Sequence, residues 1–221
     1  MPAKADTKAQ RTFYEEKLSP LINKALESKI TLLFIDAAHF VMGGDFLGYV
    51  YGLARRFVKT FSGRMRYNVL GVLNYVTKKV TTVTNDTYIT ATEIVEMLGK
   101  IAMEYVGVPI HIVLDNARYQ RCNIVTECAA KLGINLHFIP AYSPNLNLIE
   151  RLWKHVRSKL LTRYYDIFDC FKNRIDSIIN DTDKASKVEI DRLIGKSVQL
   201  FDDIVPINQN TYATNANAIA A

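Results

Sequence analysis

Cysteine is scarce in this chain: Cys122, Cys128 and Cys170 are the only three among 221 residues. They form neither a CxxC pair nor an even set, which excludes a disulfide framework and a thiolate metal site. They are expected to be reduced and buried. Histidine is nearly as sparse, and His39, His111, His137 and His155 show no zinc-ligand spacing. Any metal is therefore expected to be held by oxygen. No apolar run approaches the ~20 residues that span a bilayer. The first residues, Met1 to Asp6, are polar and contain no signal-peptide apolar region. The expectation is a cytoplasmic chain with no membrane partner. Internal repeats are also absent. What is present is a 49% hydrophobic composition, enough for one sizeable core.

Acidic residues are missing from two long stretches. None occurs from Phe46 through Asn85, where Arg55, Arg56, Lys59, Arg64, Arg66, Lys78 and Lys79 all fall. None occurs from Arg151 through Tyr165 either, where Arg151, Lys154, Arg157, Lys159 and Arg163 stand. The acids gather later, as Asp166, Asp169, Asp176, Asp181, Asp183, Glu189, Asp191, Asp202 and Asp203. With a net charge of +6, this segregation predicts a basic surface suited to a polyanion and a separate acidic one. An ordinary solvated surface is the plain alternative.

The element order follows from periodicity. Residues 1–29 predict an N-terminal helical extension with Phe13, Leu18, Leu21, Ile22 and Ala25 as a thin apolar stripe. The run 30–36 is too apolar for a half-exposed strand and should be central, ending at Asp36. Gly43-Gly44 and Gly48 mark a turn, Tyr49-Val50-Tyr51 an extended piece, and Ser62-Gly63 a loop. Tyr67–Tyr75 and Lys79–Thr84, rich in Val, Thr and Tyr, read as a hairpin. Thr90 and Glu93 have capping-box spacing for a helix over 91–105. A strand over 109–114 then delivers Asp115. A helix from about Tyr119 ends before Gly133, and a strand over 134–139 is stopped by Pro140. Ser143 and Pro144 suit the start of a helix running to about Leu161. Two more helices, near 167–179 and 187–200, form a C-terminal segment over 166–205 packed on the core. The Asn/Ala/Thr-rich end, 206–221, reads as a disordered tail. Strands in meander order followed by alternating strands and helices predict an α/β fold: one mixed sheet with helices on both faces, spanning 30–165.

Three carboxylates sit where such a fold displays chemistry. Asp36 and Asp115 follow apolar strand runs, and Glu150 lies early in an amphipathic helix. Buried charge is costly unless paired or bound to metal. Two Asp and one Glu at one end of a sheet would suit Mg²⁺ or Mn²⁺. Two such ions ~3.5–4 Å apart can serve an in-line phosphoryl displacement. On the third helix Ile149, Leu152, Trp153, Val156 and Leu160 form one face, with Glu150 at its edge and Lys154 and Arg157 on the same side. Cations beside a metal-binding carboxylate would contact a phosphate. The alternative is a surface ion pair between Glu150 and Lys154, worth ~0.3–0.5 kcal/mol.

Three motifs together resemble the catalytic core of DDE transposases, closest to the mariner-like superfamily and its bacterial insertion-sequence relatives. They are Phe34-Ile35-Asp36-Ala37-Ala38-His39-Phe40, the stretch Val113-Leu114-Asp115-Asn116-Ala117-Arg118-Tyr119-Gln120, and the run from Ile139 to Trp153 containing Tyr142-Ser143-Pro144-Asn145-Leu146-Asn147-Leu148-Ile149-Glu150. Asp115 and Glu150 are separated by 34 residues, the spacing common in that superfamily. The resemblance covers about 30–180. It implies a ribonuclease-H-like fold, with Asp36, Asp115 and Glu150 as catalytic ligands of two Mg²⁺ (or Mn²⁺) ions. It also implies DNA cleavage at transposon ends, followed by attack of the freed 3′-hydroxyl on target DNA. Asn116 would position Asp115 or a phosphate. Gln120 stands where many relatives carry His, so a histidine-assisted step is not expected.

DNA contacts are expected from Arg55, Arg56, Arg64, Arg66, Asn116, Arg118, Arg151, Lys154 and Arg157, with Lys59 and Arg121 beside them. These would be phosphate contacts, carrying no sequence information. Relatives carry helix-turn-helix units upstream, and only 35 residues precede Asp36. A separate helix-turn-helix recognition protein is therefore an expected partner, as are a homodimer on DNA and a nucleoid-associated location. Two other functions stay open: a non-catalytic DNA-binding remnant, and another ribonuclease-H-like nuclease such as a junction resolvase. His39 reads either as an active-site group or as a packing residue, and Tyr142 either as a DNA contact or not. His111 and His137 read as hydrogen-bonded structural residues, and Trp153 as a core anchor rather than a base-stacking platform. The acidic C-terminal helices read as a packing cover or a dimer surface.

Overall fold

β-branched and aromatic residues build the sheet. In the computed structural model, which describes residues 5–42, 65–160, 163–180, 187–195, 198 and 200, β1 (Thr31–Met42) is a strand of 12 residues. It is followed by β2 (Met65–Asn74) and β3 (Val80–Asn85), then β4 (Ile110–Leu114) and β5 (Ile134–Phe138). The sheet order is β3-β2-β1-β4-β5. β1, β2 and β3 form an antiparallel meander, whereas β4 and β5 run parallel to β1. This is the mixed sheet expected of a ribonuclease-H-like core.

The helices are α1 (Thr7–Phe13), which passes through a π-helical turn into α2 (Ser19–Leu26), then α3 (Ala91–Glu104), α4 (Asn123–Lys131), α5 (Ile149–Leu160), α6 (Phe168–Asn180) and α7 (Lys187–Ile194). Side chains of β1 alternate between two cores, as period two requires. Leu33 and Ile35 join Ile94, Leu98 and Ile101 of α3 and Val125 and Ala129 of α4. Phe34, Ala38 and Phe40 join Leu21 and Ala25 of α2, Leu152, Trp153 and Val156 of α5, and Phe171, Ile175, Ile178 and Ile179 of α6. Helices thus cover both faces. No described helix is long and apolar enough to cross a membrane.

The turn chemistry read from the sequence is present. Oε2 of Glu93 accepts from the Thr90 backbone N–H at 2.7 Å, closing a capping box on α3. Gly133 follows α4 with φ +68°, a left-handed position that glycine takes without penalty.

Several expectations need correction. β1 does not stop at Asp36 but continues to Met42, because β2 supplies pairing partners for Ala37 through Met42. The segment Tyr119–Cys122 is a turn, and α4 starts only at Asn123. Ser143 does not cap α5. It precedes a 3-10 turn, Pro144–Leu146, and its Oγ donates to the Ala141 carbonyl, while α5 starts at Ile149. Its last helix, α7, is shorter than read, ending at Ile194. The cysteines are unpaired, as expected, but not buried: Cys122 and Cys128 are half-buried and Cys170 is exposed. The turn at Gly43-Gly44, the extended piece at Tyr49–Tyr51, the loop at Ser62-Gly63 and the tail 206–221 lie outside the described residues.

Candidate active site

The register of β1 decides where Asp36 stands. β1 pairs with β4 only as far as Phe34 opposite Val113, whereas its pairing with β2 runs on to Met42. From Ile35 onward the β4 side of β1 is open. Phe34 and Val113 belong to the α5-side core. Asp36 and Asp115, each two residues further along, therefore project to that same face. Glu150 arrives from the other direction, in the first turn of α5. Its helix is anchored by Ile149, Leu152, Trp153 and Val156, each at most 1% exposed. The three side chains offer carboxylate oxygens that all lie within 4.8 Å of one another.

So close a set of like charges is unfavourable without a compensating cation. Burial, then repulsion from Glu150 and Asp115, pushes the Asp36 pKa up to about 8, while the Ala37 backbone and the Trp153 N–H pull against this. Burial raises Asp115, opposed by its hydrogen bond from Asn147. Burial and Asp115 raise Glu150, opposed by Arg157 and Lys154. A divalent cation would reverse all three shifts. The donor set, three carboxylates with no sulfur or imidazole, fits a hard cation such as Mg²⁺ or Mn²⁺.

Two residues hold the carboxylates in place. Nε1 of Trp153 donates to Oδ2 of Asp36 at 3.0 Å in the interior. Nδ2 of Asn147 donates to the Ile35 carbonyl at 3.0 Å, just beyond the last β1–β4 pair, and stands 3.4 Å from Oδ1 of Asp115. Asn147 is 1% exposed and its Oδ1 has no hydrogen-bond partner among the described residues. In the sequence Trp153 reads as a core residue, and Asn147 carries no expected role. The available signal for Asn147 was an amide flanked by Leu146 and Leu148 immediately before the Glu150 helix, a polar group that burial obliges to find partners. The N-terminal extension reaches the same loop, because Nδ2 of Asn145 donates to Oε1 of the buried Gln10 at 3.0 Å.

The residues expected to meet DNA separate into groups. Lys154 and Arg157 are exposed on α5 beside Glu150, and Arg157 lies 5.7 Å over the Phe40 ring. Glu150 meets the two aspartates, with the charges of Arg157 and Lys154 opposing the rise of its pKa. Arg66, Asn116 and Arg118 are exposed. Asn116 does not hold Asp115; its Oδ1 accepts from Nη1 of Arg121 at 2.7 Å. Arg151 differs from expectation. It is half-buried, and its Nη1 donates to the Leu193 carbonyl at 3.0 Å, tying α5 to α7. Arg55, Arg56, Lys59 and Arg64 lie outside the described residues.

The histidines resolve into structural positions. His39 projects to the face opposite Asp36, with Nδ1 2.6 Å from Oδ1 of Asn68. His111 and His137 stack with Nδ1 and Nε2 2.9 Å apart. Gln120 is fully buried, with Nε2 3.4 Å from the Tyr119 hydroxyl. Trp153 is also fully buried, so it offers no platform for a base.

Residues 31–172 match the family model of the DDE superfamily endonucleases. No curated protein matches the chain. Among solved structures, the fold is similar to that of the Mos1 mariner paired-end complex with Mn (15% identity, TM-score 0.64), over 88% of this chain and 61% of that one. It is similar to the pre-cleavage Mos1 transpososome (14% identity, TM-score 0.62), over 91% and 66%. It is also similar to the catalytic domain of Mos1 mariner transposase (14% identity, TM-score 0.58), over 89% and 91%. At these identities the likeness is one of fold. The chain spans less than two thirds of the length of the Mos1 chains in the two complexes.

Proposed function

We propose, from the premise that this chain belongs to the DDE superfamily of endonucleases, that it is the catalytic part of a transposase. It would cleave DNA at the ends of a mobile element and join the freed 3′-hydroxyl to target DNA. The observation that carries this reading is the meeting of Asp36, Asp115 and Glu150, oxygens within 4.8 Å, on one face of the sheet. These three side chains would hold two Mg²⁺ or Mn²⁺ ions. Bound there, the ions supply a polarised attacking oxygen and a stabilised leaving oxygen.

The protein's own groups do the rest. Asp115 is steadied by Asn147, and Asp36 by the Trp153 N–H. Lys154 and Arg157 flank Glu150 from solvent and are proposed to take the phosphates on either side of the scissile bond. Asn116 and Arg118, exposed just past Asp115, are proposed as further phosphate contacts, and Arg55, Arg56, Arg64 and Arg66 as DNA contacts on the strength of their charge alone. Residues 30–165 act as the catalytic domain, 1–29 as a helical brace and 166–205 as a cover. The burial of Phe171, Ile175, Ile178 and Ile179 against the sheet supports the last assignment. Recognition of the element's ends is proposed to rest with a helix-turn-helix module, and pairing of two ends with a homodimer on DNA in a nucleoid-associated setting.

The test uses supercoiled plasmid and a labelled duplex bearing the element's terminal repeats, with Mg²⁺, Mn²⁺ or EDTA. Nicking that needs the metal and disappears in Asp115→Asn is the expected result. Nicking that persists in Asp115→Asn would remove the assignment of this site.

A further inference from the structure

Trp153 is the chain's single tryptophan, and three neighbours fix its ring. The first is an absence of side chain. In the β1–β2 register Gly71 lies opposite Asp36. A Cβ at position 71 would stand 2.5 Å from Cη2 and 2.7 Å from Cζ2 of the Trp153 indole, and 3.1 Å from Cδ1 of Ile149. Only glycine leaves the space that the benzo ring occupies. The second is Phe40, whose ring meets the indole edge-on at 6.2 Å and 78°. The third is Asp36, which accepts the indole N–H through Oδ2 at 3.0 Å. An indole has one donor and no acceptor, and when buried it requires a partner. Phe40 and Gly71 flank Asp36 in the same two strands, so the ring is seated against the strands that display the carboxylate.

We infer that Gly71 and Trp153 form a clamp that positions the Asp36 carboxylate for a divalent cation, with Trp153 as a positioning residue and Gly71 as the space that admits it. The clamp rests on the metal-site reading above. Its logic is that of an outer-shell hydrogen bond to a ligating group: it fixes the orientation of one oxygen and leaves the remaining lone pairs for the metal. Asp36 is 8% exposed and its bond from the indole N–H is buried, so deleting that N–H leaves Oδ2 without its donor in the interior. Conversely, the flat ring fills the core between β1, β2 and α5, so the group that orients the carboxylate also packs the helix that delivers Glu150.

The test is direct Mn²⁺ titration of the purified chain, read by electron paramagnetic resonance of free Mn²⁺ and paired with thermal melting. Trp153→Phe keeps an aromatic ring and deletes the N–H. Gly71→Ala keeps the N–H and pushes the ring away. Each is expected to weaken Mn²⁺ binding about tenfold, the lower end of outer-shell effects. The double variant is expected to bind no more weakly than Trp153→Phe alone, because both changes act through one indole. It should also melt higher than Gly71→Ala, since a phenyl ring does not reach the Cη2 position. Wild-type affinity in Trp153→Phe would overturn the clamp, as would losses that multiply in the double variant. Asp115→Asn separates the two levels. If wild type binds no Mn²⁺, or Asp115→Asn binds as wild type does, the metal-site reading falls and takes the clamp with it. If Mn²⁺ binding depends on Asp115 but not on Trp153, only the clamp falls.

Discussion

On the face covered by α3 and α4, β1 contributes Leu33 and Ile35 to a core of Ile94, Leu98, Ile101, Ile112, Leu114 and Val125, all at most 1% exposed. On the face covered by α5, the same strand contributes Phe34 and then Asp36, and the core around it admits an amide, an indole N–H and a carboxylate. One face is held by apolar burial, which is non-directional and tolerant of small shifts. The other is held partly by hydrogen bonds of fixed geometry, in a place where charge is penalised. A single strand thus serves two ends: its odd residues anchor the sheet, and its even residues raise a carboxylate where burial and repulsion push its pKa to about 8. The two-residue period of β1 confines the chemistry to one face while both faces contribute core, and substitutions on the two faces should differ in kind.

The largest effect is expected at the site. Glu150→Gln or Asp115→Asn should reduce metal-dependent nicking by at least ~10³-fold, as loss of a catalytic group does when groups act as a unit. The melting temperature should hold or rise, because one of three mutually repelling carboxylates is gone. Nicking assays and melts on the same preparations check both halves. Opposite behaviour is expected across the sheet. Ile101→Ala on α3 should cost about 2–5 kcal/mol of stability through the cavity it leaves. Mn²⁺ affinity, measured well below the melting transition, should stay at the wild-type value.

Next comes pH. The folded Asp36 pKa is raised from 3.8 to about 8. The metal-free fold therefore prefers the protonated acid; that contribution is fully present below pH 3.8 and is lost as pH rises through about 8. A divalent cation favours the ionised form. The gain in melting temperature on adding Mg²⁺ should grow across that window and level off above it. A gain that shrinks with rising pH would contradict the assignment.

Smaller still is the effect of the flanking cations. Lys154→Ala or Arg157→Ala should weaken DNA binding at all sequences and lower the slope of log affinity against log salt by about 1 each. A fluorescence-anisotropy titration at several salt concentrations reads this. Arg151→Ala should leave that slope unchanged, since its guanidinium reaches the Leu193 carbonyl. The smallest effect belongs to Thr90→Ala, about 1 kcal/mol from the α3 capping box, with no change in nicking.

The faces also differ in how much of them was legible beforehand. The α3/α4 face is written in local signals: the apolar period of α3, the Thr90 and Glu93 spacing, the glycine after α4. Each depends on residues a few positions apart. The triad was legible for a similar reason, since each carboxylate ends or opens a recognisable run. What surrounds the triad was not. The continuation of β1 past Asp36 depends on β2, whose pairing residues begin at Met65. The polar duty of Trp153 depends on Asp36, 117 residues away, and on Gly71. An indole on an apolar stripe reads as filler until its donor is traced. Arg151 and Lys154 look alike in a basic run, and only the docking of α7 separates them. Long-range partners decided these cases, and no local pattern encodes them.

The number of Mn²⁺ ions held by the chain on a DNA duplex, counted by electron paramagnetic resonance titration of wild type beside Asp36→Asn, would test the proposed metal site most directly. Two ions bound by wild type, and at least one of them lost in Asp36→Asn, is the result expected of three carboxylates acting together. No bound ion in wild type, or an equal count in both proteins, would contradict it.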